Sequence, residues 1–277
     1  MIVKPLKKAL SAPRNDGTLH FSQHLQHDRH TALYKALGYP TTDLPWGRIF
    51  PLVQGTGIHE TIHATMASLY PKYLPEKAIT ASDERLEYEW GGTADAYVNI
   101  DGDLWLLDYK TISGAGVEFL DNKPKEDHVW QVSAYYHFGP KAKGIRSGVL
   151  YLPSSPNYRK HWAEPVLYEF EPIEYETLLE RMLEVEEACN DYEIRGVLPP
   201  PPDGEYKWKK KGKKFELVYR PHYTTMFCPW APLADDPCNC SDDKMRVIAN
   251  YKDGEMEYDA KDAHIIKMMG GPDGFDS

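Results

Sequence analysis

No run of 18 apolar residues occurs in this 277-residue sequence, so it offers nothing to span a membrane as a helix. The opening residues, MIVKPLKKALSAPRNDG, carry lysines but no apolar h-region. Without a secretory signal the expected location is cytoplasmic, in the host's cytoplasm for a viral chain. Internal repeats are absent. Cysteine is scarce, with four in all: Cys189, Cys228, Cys238 and Cys240. Three of them fall between residues 228 and 240, and such clustering in an intracellular chain points to a metal before disulfides. Net basic charge is lacking too. The formal charge is −10, which is not that of a uniformly cationic nucleic-acid binder. The segment Lys207–Arg220 reverses this locally, with seven basic residues and one acid. Lys207, Lys209, Lys210, Lys211, Lys213 and Lys214, interleaved with Trp208, make a local element able to dock phosphates. What is present is a globular composition, 42% hydrophobic and 12% aromatic.

The pattern predicts helices over His20–Leu37, Gly57–Tyr70, Glu126–Phe138 and Ile173–Arg195. A proline-containing loop (Pro40, Pro45, Pro51) separates the first two. Strands are expected at Arg85–Trp90, Thr93–Ile100, Leu104–Thr111, Ser147–Leu152 (ended by Pro153) and, on an edge, Val166–Phe170. Asp101-Gly102 signals a tight hairpin between the second and third. The prolines at 199–202 divide the chain into a core, residues 1–198, and a C-terminal module, residues 199–277. That module should hold a basic hairpin, Tyr206–Tyr219, with a tail from about Ser241 that frays. The fold class is α/β (α+β), a mixed β-sheet flanked by helices with its site at one edge.

Asp108-Tyr109-Lys110 lies at the end of an apolar run, Leu104-Trp105-Leu106-Leu107. Alternation along a strand puts Asp108 and Lys110 on one face. A hairpin would bring Asp95, in Gly91-Gly92-Thr93-Ala94-Asp95, near Asp108. Two carboxylates together repel unless a cation lies between them, and hard oxygen ligands suit Mg²⁺. Lys110 would position or activate a water. Gln131 and Tyr135 are four apart on one helix face, and His59 opens another helix.

Gly55…His59, Gly92…Asp95, Asp108-Tyr109-Lys110 and Gln131…Tyr135 stand in the order G-x-x-x-H, G-x-x-D, D-x-K, Q-x-x-x-Y. This resembles the RecB-like branch of the PD-(D/E)xK nucleases, including the CRISPR-associated exonucleases and their phage relatives. The resemblance covers roughly residues 18–152 and the cysteine module. It implies a restriction-endonuclease-like fold and a Mg²⁺- or Mn²⁺-dependent exonuclease. The substrate would be DNA, with action on single-stranded ends in recombination, repair or spacer acquisition alongside proteins of those processes. It implies His59, Asp95, Asp108 and the backbone carbonyl of Tyr109 as metal ligands. Lys110 would serve the attacking water, and Gln131 and Tyr135 would hold Lys110 or the DNA.

The same resemblance extends upstream. Iron–sulfur members carry a cysteine where this chain has His27, and pair it with three C-terminal cysteines around a 4Fe-4S cluster. Here the set would be His27, Cys228, Cys238 and one of Cys240 or His222, a His/Cys mixture that suits Zn²⁺ better. Either metal would staple the C-terminal module. Bound strands would rest on the hairpin lysines and stack on Trp208, Tyr206 or Trp230. Cys189 reads as a small buried residue. Two other readings stand beside the nuclease. His59-Glu60-Thr61-Ile62-His63 matches the H-E-x-x-H of zinc metalloproteases. The third reading is an inactive DNA-binding adaptor that keeps the fold.

Overall fold

A computed structural model describes residues 15–40, 46–118, 120–156, 161–199, 205–211, 214–220, 238, 246–252 and 255–258. The chain divides into two compact units, Met1–Leu198 and Pro199–Ser277. The first is mixed α/β, and its centre is the predicted hairpin. Strands β3 (Trp90–Ile100) and β4 (Asp103–Ser113) join through Asp101 and Gly102, both at positive φ (53° and 99°), which is what an Asp-Gly turn supplies.

Around this hairpin lie β1 (Leu19–His20), parallel to β3, and β2 (Leu74–Thr80), antiparallel to it. On the far side β5 (Arg146–Ser155) runs parallel to β4, and β6 (Val166–Phe170) closes the edge antiparallel to β5. Parallel neighbours need a crossover. Here it is made by the short α3 (Gly114–Glu118) and by α4 (Glu126–Phe138). The result is a six-stranded mixed sheet. Helix α2 (Trp46–Leu69) lays Ile58, Ile62 and Met66, one turn apart, onto Ala96, Val98, Trp105, Leu107 and Tyr109. Helix α4 buries Gln131 to Tyr135. Helix α5 (Tyr175–Arg195) buries Leu178, Met182, Val185 and Cys189 along one stripe. Helix α1 (Asp28–Leu37) is tied to α5 by Arg181, which donates to the Leu25 carbonyl and pairs with Asp28.

Several expectations are corrected. The helix expected from His20 begins only at Asp28, because Leu19 and Phe21 donate their N–H groups to Glu89 and Gly91 as a parallel strand. His27 caps α1 through Nδ1. Helix α2 starts at Trp46 rather than Gly57 and runs through Pro51, which forfeits its bond within the first two turns. Arg85–Trp90 is not a strand before its last residue. The Glu186 carboxylate of α5 takes the N–H of Glu87 (2.8 Å), that of Tyr88 (3.1 Å) and the indole N–H of Trp90 (2.8 Å). Those donors are thereby lost to any ladder. The strand is Leu74–Thr80 instead, an edge element that tolerates Pro75. Strand β5 continues through Pro153 to Ser155, with a register shift at Ile112/Ser113.

The second unit is a four-stranded antiparallel sheet. The basic hairpin is there, as β7 (Glu205–Lys211) and β8 (Lys214–Arg220), closed by the pair Lys211↔Lys214. The tail expected to fray instead supplies β9 (Arg246–Lys252) and β10 (Glu255–Tyr258). Buried Ala249 of β9 pairs with buried Leu217 of β8. Cys238 is buried. Lys213, His222, Cys228, Trp230 and Cys240 lie outside the described residues, so the stapling-metal set does too in most of its members. Among the described residues no helix is long and apolar enough to cross a membrane.

Candidate functional site

Strand β3 has two edges. Strand β2 follows one of them from Gly91 to Tyr97. Strand β4 takes the other, but only from Ile100 to Ala96, the last pair being Ala96↔Leu107. Strand β1 pairs at Trp90 and Gly91. Since β2 already occupies Gly91's first edge, β1 falls on the β4 edge. The backbone between Gly92 and Asp95 therefore faces a split in the sheet, bounded by β1 at one end and the hairpin at the other. The site lies at this interior split and not at a sheet edge.

Asp95 fills the split. Its Oδ2 accepts the N–H of Tyr109 at 2.6 Å, replacing a ladder bond, and its Oδ1 lies 3.7 Å from Nδ1 of His59 on α2. Asp108 lies on the α4 side and is 1% exposed. Its Oδ1 accepts from Gln131 at 3.1 Å, and its Oδ2 faces the Lys110 ammonium at 2.8 Å as an ion pair rather than a directed hydrogen bond. The Gln131 amide also donates to the Tyr135 hydroxyl at 2.8 Å. Tyr135 in turn lies on Gly92, where a Cβ would stand 2.8 Å from its ring. Gly92 is thus required by the close approach of Tyr135. One turn before His59, a Cβ on Gly55 would sit 3.0 Å from the Thr111 hydroxyl, so that glycine lets α2 approach β4.

The electrostatics follow from burial and charge. Burial lifts the Asp108 carboxyl above its ordinary range; Lys110 opposes this and Asp95 reinforces it. The Asp95 carboxylate raises the pKa of His59 against the opposing effect of burial. Two acids share the site with one fixed cation, Lys110, and an imidazole.

Every residue expected of the nuclease centre is therefore brought to the split: His59, Asp95, Asp108, Tyr109, Lys110, Gln131 and Tyr135. His27, in contrast, is placed at the start of α1 as its cap. The site gains three residues that the nuclease motifs omit. His63 joins His59 and Asp95 in a group whose ligand atoms all lie within 4.8 Å of one another. Tyr73 contacts His63 Nδ1 through its hydroxyl and stands 3.5 Å from the Tyr109 hydroxyl. Glu76 Oε1 is 4.0 Å from His63 Nε2. The i, i+4 spacing of His59 and His63 was the one available signal. Glu60, the third fixed member of H-E-x-x-H, is exposed.

No protein family matches this sequence. No curated protein matches it either. Among solved structures the chain is similar to one described as the crystal structure of SSO0001, with 15% identity and a TM-score of 0.47, over 72% of this chain and 95% of the other.

Proposed function

We propose that the first unit is a restriction-endonuclease-like, RecB-type nuclease core and that the protein is a metal-dependent DNA exonuclease. The observation carrying this reading is the buried Asp108, held by Lys110 and Gln131 beside the split that Asp95 and His59 span. A structural ion pair gains little from such depth. A carboxylate raised by burial and by a second acid fits a divalent cation, as does the buried His63 Nε2, which has no hydrogen-bond partner among the described residues. His59, Asp95, Asp108 and the Tyr109 carbonyl would hold Mg²⁺ or Mn²⁺. When bound, the cation supplies Lewis-acid assistance to phosphodiester hydrolysis.

The chain's own groups do the rest. Lys110, ion-paired with Asp108, has three donors and would offer them to the attacking water or a phosphate oxygen. Gln131 fixes the Asp108 carboxylate, and Tyr135 fixes Gln131. Asp95 locks Tyr109's backbone, and with it the spacing of Asp108 and Lys110. In the second unit the lysines of β7 and β8 and Trp208 would hold single strands through phosphates and stacking. A second metal, Zn²⁺ or 4Fe-4S, on His27 and the C-terminal cysteines belongs to the same proposal. Elemental analysis with neither zinc nor iron in stoichiometric amount removes it.

Labelled single- and double-stranded DNA incubated with Mg²⁺ or Mn²⁺ tests the central claim. Cleavage should occur and should vanish in Asp108→Ala and Lys110→Ala, both folded. Full activity in both variants rejects the assignment. The His59–His63–Asp95 group favours a second reading, zinc proteolysis. Exposed Glu60 is ill placed as its base, and Asp108, Lys110 and Gln131 have no role in it. Cleavage of casein but not DNA would select that reading.

A further inference from the structure

His63 takes no part in the nuclease motifs, yet it is built into the site. It lies one turn after His59 on α2, so both imidazoles share a helix face. Its ligand atom, with those of His59 and Asp95, falls in a group spanning no more than 4.8 Å, all three side chains half-buried. The Tyr73 hydroxyl holds Nδ1. The other nitrogen, Nε2, is buried and has no hydrogen-bond partner among the described residues. Leaving a buried polar atom so is costly. Metal-holding histidines show this same division, one nitrogen fixed by a hydrogen bond and the other left to the metal.

Glu76 adds an oxygen. It occupies the place opposite Asp95 in the β2–β3 ladder, between the pairs Pro75↔Ala96 and Lys77↔Ala94, and it does not pair. Its backbone is left-handed, φ 48°, in a non-glycine residue within a strand. Such a conformation is costly and marks positions where another demand overrides the local preference. Its carboxylate stands 4.0 Å from His63 Nε2. That is too far for a hydrogen bond, but two atoms each about 2.1 Å from one ion stand about 3–4 Å apart.

We propose that His63 is a ligand of the same cation as His59 and Asp95, with Glu76 in reach, and that the site prefers Mn²⁺ to Mg²⁺. Mg²⁺ demands oxygen ligands and octahedral order, whereas imidazole suits first-row transition ions. The proposal rests on the reading of this site as a cation site, and its test does not depend on cleavage.

Calorimetric titration of the metal-stripped full chain with MnCl₂ and MgCl₂ provides the test. The wild type should bind Mn²⁺ at least about tenfold more tightly than Mg²⁺. His63→Asn should lower Mn²⁺ affinity at least about tenfold and change Mg²⁺ affinity far less. Circular dichroism and melting in EDTA check the fold. Should His63→Asn fail to fold, Tyr73→Phe keeps the ligand, removes its orienting bond, and should weaken Mn²⁺ about tenfold. Wild-type Mn²⁺ affinity in His63→Asn, or in Tyr73→Phe where only that variant folds, overturns the proposal. Equal Mn²⁺ and Mg²⁺ affinities in the wild type overturn it as well. If His63→Asn keeps full Mn²⁺ affinity while DNA cleavage still needs Asp108, this proposal falls and the nuclease stands. If Mn²⁺ binding is lost in His63→Asn but DNA is never cut, the nuclease falls and this proposal stands.

Discussion

Strand β3 meets β2 along one edge from Gly91 to Tyr97 and meets β4 along the other only as far back as Ala96. On the first edge, backbone bonds to backbone on either side of Glu76, the one β2 residue within the ladder that does not pair. On the second, the ladder opens and a side chain takes over: Asp95 accepts Tyr109's N–H, and beside it Gln131 donates to the Asp108 carboxylate. A sheet that opens at one place exposes donors that must be met. The polar groups that meet them are then held rigidly enough for chemistry.

Substitutions can break this contrast. Asp108→Asn should cause the largest change, a loss of DNA cleavage of about a thousandfold, near 4 kcal/mol of transition-state stabilisation. Its melting temperature should stay level or rise, since a carboxyl costly to ionise is replaced by a neutral amide. A clear drop in melting temperature would show that the split edge is held for stability instead. Glu186→Ala should come next. It strands the N–H groups of Glu87 and Tyr88 and the Trp90 indole, at about 3 kcal/mol in urea unfolding. A loss under 1 kcal/mol would mean that water or a neighbour takes over from the carboxylate. Gly92→Ala forces its Cβ against the Tyr135 ring and should cost about 2 kcal/mol, with a fall in cleavage as Tyr135 shifts.

Acid should act on the split edge through His24. This imidazole accepts the N–H of His20 in β1 at 2.6 Å, and burial lowers its pKa to about 3 from the usual 6.5. Its neutral form is the one that fits. Its contribution is complete above about pH 6.5, falls by about 1.4 kcal/mol per pH unit below that, and is gone near pH 3. Urea midpoints at pH 7, 6 and 5 measure the slope, and His24→Gln should flatten it. The smallest effect belongs to the laddered edge. Ile79→Val on β2, at a residue 6% exposed, should cost about 1 kcal/mol and leave the cleavage rate unchanged. A slowed rate there would erase the distinction between the edges.

What the sequence made legible depended on how local its causes were. The β3–β4 hairpin follows from Asp101-Gly102, and α4 begins and ends where its pattern predicts, at Glu126 and Phe138. The pairing of Asp108 with Lys110 needs only strand alternation. Strand β2 was hidden because Pro75 and two charged residues mask its alternation, which only an edge strand tolerates. Glu186 sits in a helix full of glutamates, and nothing local separates the one buried carboxylate from its exposed neighbours. His63 matched a protease pattern in one dimension. Its proximity to Asp95 depends on how α2 lies across β3, which no spacing encodes.

The bonds from Glu186 to residues 87, 88 and 90 also set an order in time. A ribosome delivers His59, Asp95, Asp108, Lys110, Gln131 and Tyr135 before it delivers Glu186. For roughly 3–10 s at ordinary translation speeds, the growing chain holds every proposed catalytic group but lacks the carboxylate that anchors the lead-in to β3. Completion of the site then waits on the last helix of its unit.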